Sequence, residues 1–369
     1  MKIKIYKYDF LVVGAGLIGS LAALQLIKKN YKVLVIDKNN KVFKDQRTLA
    51  VNANSKDFLK GLNLWKKLKT QPEHIQKIII KDDINSSPLV FQNPSEEMGS
   101  VILNRELLLE SLKELEKTNS IIKGVNIPLK KIRPNELISI NDRKYSFKNI
   151  VLSFGKKFQE DTILKKFTFS KDVKANVGFF KHSIKHNQIA YEVFTSDGPL
   201  AVLPAPNKSK KESTFIYSSK KSVSTDNLHK LINRYFNSTH GTINFHNKIS
   251  KFEIIPHLSK DKLNKYFLIG DSLRSIHPVA GQGWNLGIKD IQCLSNLLET
   301  HDLEDPSLVK KFYSQRNVEN ISYLSFTSSL NILYENQNIL TNSIIKSGFK
   351  VLRNFDFLRS AFIKQAMGR

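Results

Sequence analysis

The feature that most restricts the fold is a glycine turn set between a strand and a helix. Residues 8–13 (YDFLVV) form a short apolar run that enters Gly14-Ala15-Gly16-Leu17-Ile18-Gly19, and Leu17, Leu21, Leu24 and Ile27 then follow at helical spacing. A second apolar run, residues 32–36 (KVLVI), ends in Asp37, 18 positions beyond Gly19. Strand, tight turn, helix, strand and acid in this order predict a dinucleotide-binding βαβ unit, in which the acid holds a ribose hydroxyl. Each glycine has its reason. Gly14 permits the turn, Gly16 lets the backbone approach a pyrophosphate, and Gly19 allows the helix to pack closely on the strand, while the helix N-terminus offers N–H donors to the phosphates.

Residues 8–27 also have the length of a membrane span, and Lys2, Lys4 and Lys7 imitate the basic start of a signal peptide. Asp9 inside the run, three glycines at one turn and the βαβ spacing beyond it argue against both. The N-terminus is therefore expected to be retained and the protein cytoplasmic.

A chain of 369 residues holds one large or two ordinary domains, and 41% hydrophobic residues suffice for a core. The single Cys293 excludes an internal disulfide framework and fits a reducing compartment. No metal site is expected: the nine histidines show no ligand pattern, and His182 and His186 fall in a β-like region where i, i+4 spacing does not bring side chains together. The net charge of +25 invites thoughts of nucleic acid, but lysine is spread along the whole chain and no nucleic-acid module is present, so no such partner is expected. Residues 342–369 mix apolar side chains with Lys346, Lys350, Arg353, Arg359 and Lys364, Asp356 being the only acid. Such a segment can rest on a bilayer or pack as an ordinary terminal helix.

Further along, residues 55–68 are amphipathic, 75–81 are β-like, and 82–97 are rich in turn residues. Residues 105–115 have helical spacing, 173–254 alternate in the β manner, and the chain beyond Gly283 is mainly helical. The expected fold is α/β: a discontinuous Rossmann-like nucleotide domain (1–72, 98–172 and 255–305), a β-sheet substrate domain (73–97 and 173–254) and a C-terminal helical segment (306–369).

A second glycine-rich segment, residues 270–290 (GDSLRSIHPVAGQGWNLGIKD), follows the apolar run 266–269. Together with the first turn it resembles the class A flavin-dependent aromatic hydroxylases, and more narrowly the ubiquinone-biosynthesis hydroxylases that act on polyprenylated phenols. The resemblance runs nearly end to end, through 45–50 (DQRTLA), 61–65 (GLNLW), 103–107 (LNREL), 194–204 (FTSDGPLAVLP), Tyr313 with Arg316, and 366–368 (AMG).

It implies an FAD held by Gly14, Gly16, Gly19 and Asp37, with Asp271 on the ribityl chain. Gly281, Gln282, Gly283 and Asn285 open a helix whose N–H groups face the pyrimidine edge of the ring and favour the negative charge gained on reduction. By the same resemblance Arg47 and Arg105 lie near the cofactor, Arg105 towards the phosphates. Pro278 and His277 are the candidate catalytic positions, Pro278 beside the ring and His277 as a packing residue behind it. In such enzymes NAD(P)H reduces the flavin, oxygen adds to give a hydroperoxide, and an activated phenol takes the distal oxygen. The implied partners are a prenylated aromatic and O2, with peripheral contact to the inner membrane or to a quinone-synthesis complex.

Two departures stand out. The family's usual Asp-Gly after the strand ending near residue 152 is Phe154-Gly155, and its usual Ala-Ala-His after Gly270-Asp271 is Ser272-Leu273-Arg274. Two other readings stay open: a hydroxylase of a small soluble aromatic, and a flavin-binding accessory subunit without catalysis.

Overall fold

The computed structural model describes residues 4–41, 47–85, 87–155, 163–168, 173–245, 249–276 and 282–368. Its central sheet places the strands in the order Tyr266–Leu268, Arg143–Leu152, Ile5–Val13, Val33–Asp37 and Ile121–Lys123, all parallel. Ile138–Ile140 adds an antiparallel edge to Arg143–Leu152. The inner strands read as unbroken apolar runs because both faces are covered: Phe10, Leu11, Val12, Val35, Ile150, Val151 and Leu152 have no exposed surface. Leu21, Ala22 and Leu26 of helix α1 (Leu17–Lys28) share that core with α3 (Asn104–Lys117) and α5 (Gln282–Thr300). Between α1 and α3 lies the short α2 (Ala53–Gly61), capped by Asn52, whose side chain accepts the Ser55 N–H.

A second sheet of eight strands is mainly antiparallel. Its path runs Ile243–Phe245, Val173–His182, Glu212–Ser219, Gly198–Pro204, Ile189–Thr195, Lys77–Asp82, Leu89–Gln92, and Ser250–Ile254 pairs beside Val173–His182. Lys77–Asp82 joins in parallel register with Ile189–Thr195, so strands from two distant chain regions share this sheet. Two three-stranded sheets complete the set: Thr48–Val51 and Glu73–Ile75 flank Gly99–Leu103, and Leu164–Thr168 and Arg274–Ser275 flank His257–Asp261.

The stretch 173–254 is not all strand. Helix α4 (Thr225–His240) interrupts it, capped by Ser224, whose Oγ accepts the Asn227 N–H at 3.2 Å. Leu228, Ile232, Phe236 and His240, four residues apart, form its buried face. The spacing argument applied to His182 and His186 also fails. The strand ends at His182, the chain turns, and the two rings lie 6.1 Å apart, with His240 of α4 4.6 Å from His182. All three rings are buried, yet among the described residues no group of histidine, cysteine and carboxylate is placed to hold a metal ion.

The chain ends in α6 (Leu308–Glu335), α7 (Ile339–Asn354) and α8 (Asp356–Ala366). Ile345, Phe349 and Met367 pack into an apolar cluster with Phe91, Phe194, Leu203 and Tyr334 of the second sheet and α6. Phe194 and Tyr334 stack with ring centroids 4.7 Å apart. Among the described residues no helix is long and apolar enough to cross a membrane.

Candidate active site

The glycine turn opens onto a cavity of about 510 Å³ that reaches the face of the second sheet. Ala15, Gly16, Asp37, Asn39 and Lys123 line one part of it; Ala175, Val177, Leu203, Ile216, Phe252 and Ile254 line another; Gly155, Gly270, Asp271, Gly283 and Trp284 lie along it too.

At the first turn Gly14 has a φ of +103°, and a Cβ there would collide with the Ser153 carbonyl. A Cβ on Gly19 would strike the carbonyl of Gly14, so this residue sets how closely α1 approaches the strand. Gly16 differs: a Cβ there would meet no protein atom within 4 Å, because it would project into open space, and Gly16 lines the cavity. No side chain caps α1 at Gly16, leaving its first-turn N–H groups toward the cavity. Asp37 accepts the Ala15 N–H at 2.6 Å through Oδ2 and the Asn39 N–H at 2.7 Å through Oδ1, which fixes its carboxylate beside the turn.

The second glycine segment meets this turn from the other side. Gly270, at φ +58°, sits against Ile18 of α1, where a Cβ would come within 3.1 Å of Cγ2. Its N–H donates to Asp290 Oδ2 at 2.9 Å, so α5 holds the turn that presents Asp271. Asp290 has no exposed surface and also accepts Arg274 Nη1 at 2.6 Å and Arg316 Nε at 2.7 Å. Arg316 pairs further with Glu319, which takes Lys289 Nζ at 2.6 Å. One carboxylate thus joins the Gly270 turn, the strand Arg274–Ser275 and α6. Burial lowers the Arg274 pKa, opposed chiefly by Asp290; for Arg316 the burial penalty is overcome by Asp290 and Glu319, and its pKa rises. Tyr313 of α6 adds a clamp, donating to Tyr266 O at 2.8 Å and accepting the Leu268 N–H at 3.2 Å; burial pushes its phenol well above the ordinary value.

The site residues expected from sequence take up different positions. Gly16, Asp37, Arg47, Asp271 and Gly283 line the cavity, while Gly14 and Gly19 form the turn behind its wall. Arg47 is exposed, and its guanidinium lies over the Phe252 ring at 4.9 Å. Arg105 is exposed at the start of α3 and does not line the cavity, whereas its neighbour Asn104 does. Gln282 begins α5, half-buried, away from the lining. Asn285 is buried in a structural role, accepting the Asn52 N–H at 3.2 Å and donating to Ala50 O at 2.9 Å. Pro278, His277 and Gly281 lie outside the described residues.

Residues not anticipated are Asp290 with its arginines, Lys123, Gly155 with Ser272, and Trp284. The strand residue Lys123 has a signal in its register, since it stands opposite Asp37. Trp284 lines the cavity with an indole N–H that is buried and has no acceptor among the described residues.

These features fit an extended dinucleotide with a flavin ring. The glycine turn leaves a gap where a Cβ would intrude, uncapped N–H donors face it, a carboxylate stands at the second turn, and an unpaired donor lies beside the start of α5.

A model of an NAD(P)-binding Rossmann-like domain matches residues 12–76, and a model of an FAD binding domain matches residues 166–316. The chain is 24% identical to the mitochondrial ubiquinone biosynthesis monooxygenase COQ6 of Dictyostelium discoideum, covering 98% of this chain and 91% of that protein. It is 25% identical to the ubiquinone hydroxylase UbiL of Rhodospirillum rubrum, over 98% and 89% of the two chains. In fold it matches the p-nitrophenol 4-monooxygenase PnpA of Pseudomonas putida, with a TM-score of 0.73, 13% identity and 99% of each chain covered. It also matches PqsL of Pseudomonas aeruginosa, a probable FAD-dependent monooxygenase, with a TM-score of 0.69, 15% identity, and 89% and 97% covered. The glycine turn, the Gly270-Asp271 turn and these likenesses together make the chain similar to the FAD-dependent monooxygenases, whose fold it shares.

Proposed function

We propose that this enzyme hydroxylates the aromatic ring of a polyprenylated phenol or benzoquinol in ubiquinone synthesis, with NAD(P)H as reductant. The observation that carries the reading is the wall of the cavity. The second-sheet residues facing the dinucleotide turn are Ala175, Val177, Leu203, Ile216, Phe252 and Ile254, all apolar, as an aromatic ring with a hydrocarbon tail requires. The names of the related ubiquinone hydroxylases support the same substrate class.

In this reading residues 1–72, 98–172 and 255–305 hold FAD, 73–97 and 173–254 form the substrate wall, and 306–369 form the helical closure. Gly14, Gly16 and Gly19 admit the pyrophosphate to the N-terminus of α1, Asp37 takes the ribose, and Asp271 takes the ribityl hydroxyls. The α5 N-terminus, at Gln282 and Gly283, favours negative charge on the ring edge. Lys123, opposite Asp37, balances the phosphates, and Arg47 stands near the cofactor on the Phe252 side of the cavity. FAD, once reduced, supplies the activation of oxygen. The chain's own part is to orient the two rings and exclude water, for which the apolar wall and the buried Asp290 network are suited. No nucleophilic side chain is assigned.

The test is a deletion strain together with purified protein. The strain accumulates an under-hydroxylated prenylated intermediate, and NADPH bleaches the bound flavin faster when a prenylphenol is present. Unchanged quinones with no substrate-stimulated reduction would overturn the proposal.

A further inference from the structure

We propose that α7 and the start of α8 rest on an anionic lipid surface. The purpose of this contact rests on the prenyl-substrate reading above, but the surface itself is argued from the side chains.

Helix α7 carries two apolar stripes. The inner one, Ile345 and Phe349, is buried in the cluster that also holds Leu203, and Leu203 lines the cavity. The outer one is Leu340, Ile344 and Val351, at spacings of 4 and 7 residues that fall on one side of a helix, and Phe355 follows at the C-cap. This stripe faces solvent: Leu340 is 76% exposed, Ile344 56% and Phe355 58%, and at the junction with α8 Phe357 is 80% exposed. A water-facing surface gains nothing from a run of such residues, so the stripe and the junction beside it are suited to an apolar phase.

The charges beside it select which phase. Lys346, Lys350 and Arg353 lie on the neighbouring side of α7, and Arg359 and Lys364 follow on α8. Lys346 and Lys350 make no ion pair with any described residue; Arg353 donates to the Ser87 carbonyl at 3.0 Å. Asp356, the one acid here, is paired with Arg359. An apolar stripe rimmed by unpaired ammonium groups complements acyl chains beneath anionic headgroups. A second copy of the chain is a poorer occupant, because a two-fold contact through this face would set the same basic rim against itself. At 16 residues α7 is too short to span, since a crossing helix needs about 20. It therefore lies in the interfacial plane, a single helix thick between the lipid and the cluster around Leu203.

The experiment is vesicle flotation of the full-length, FAD-loaded protein, using phosphatidylcholine vesicles with and without about one-third phosphatidylglycerol. The protein floats with the anionic vesicles at least about tenfold better than with the neutral ones. The double variant Leu340→Glu/Ile344→Glu lowers that binding by about tenfold or more. Lys346→Glu/Lys350→Glu lowers it by about fivefold per residue. FAD content and turnover of a detergent-dispersed prenylphenol stay at wild-type levels in both variants.

The proposal is overturned if the wild type floats with neither vesicle, or if the variants float as well as it does. It is equally overturned if the stripe variant halves the molecular mass in solution, which would assign the face to a second copy. The two readings fail separately. Flotation without prenylphenol turnover removes the substrate reading and leaves the surface, whereas turnover in detergent without flotation removes the surface alone.

Discussion

Ser272 Oγ accepts the Gly155 N–H at 3.1 Å, and this contact joins the two places where the chain departs from the flavin-hydroxylase pattern. Gly155 sits at φ +79° on the cavity wall, and Ser272 follows Asp271 with no exposed surface. The hydroxyl therefore ties the loop after the strand Arg143–Leu152 to the turn that carries Asp271. Ser272→Ala removes one buried hydrogen bond, a loss of about 1 kcal/mol. The expected result is a small fall in melting temperature and a several-fold rise in the FAD dissociation constant, read by flavin fluorescence. An unchanged FAD affinity would show that the tie does not shape the site.

Gly14 and Gly16 should fail in different ways. Gly16→Val projects into the cavity without meeting protein, so the variant folds with near-native stability but comes off the column colourless. Gly14→Ala forces a Cβ against the Ser153 carbonyl at a left-handed φ, so it loses both stability and flavin. Circular dichroism melts alongside the visible absorption band of bound flavin separate the two. A yellow Gly16→Val would contradict the pyrophosphate assignment.

Asp290→Ala leaves Arg274 and Arg316 buried around a missing carboxylate and frees the Gly270 N–H. Breaking such a network costs about 3–5 kcal/mol. The variant is expected to be poorly soluble. Asp290→Asn keeps the shape and one acceptor, and should fold with weaker FAD binding. Urea unfolding midpoints order the series, and a fully stable alanine variant would remove Asp290 as the hub of this turn.

Acid should loosen the second sheet at its histidine cluster. Burial is the main cause lowering the His186 pKa from 6.5 to about 4, with Glu73 opposing and His182 and Lys210 assisting. Burial likewise lowers His240 to about 3, aided by His182, His186 and Lys81, and His182 is lowered too. The unfolded chain binds these protons first, so the stability they contribute is complete above pH 6.5 and is lost as the pH falls toward the folded values. Each histidine adds a slope of about 1.4 kcal/mol per pH unit within its window. Urea titrations at stepwise lower pH should show a loss that His240→Phe reduces; an equal loss in that variant would place the acid sensitivity elsewhere.

The dinucleotide fold was legible in the chain itself because its chemistry is local. A strand, three glycines, a helix and Asp37 lie within 30 consecutive positions, 8–37, and the steric demands at Gly14 and Gly19 arise from neighbours in that same unit or from the adjoining strand. The Gly270-Asp271 turn announced itself for the same reason. Helix α4 was legible in principle, through Ser224 and the fourfold spacing from Leu228 to His240, but lysine-rich loops and flanking strands hid it. Tertiary structure alone decided the rest. Asp290 gains its role from Arg274, Arg316 and the Gly270 N–H, brought together from different elements, and no spacing in the chain records that meeting. The same holds for Ser272 with Gly155, for the three histidine rings, and for the two strands after residue 76 that complete a sheet formed mostly beyond residue 172. Periodicity reports which face of an element is buried; only packing decides what that face meets.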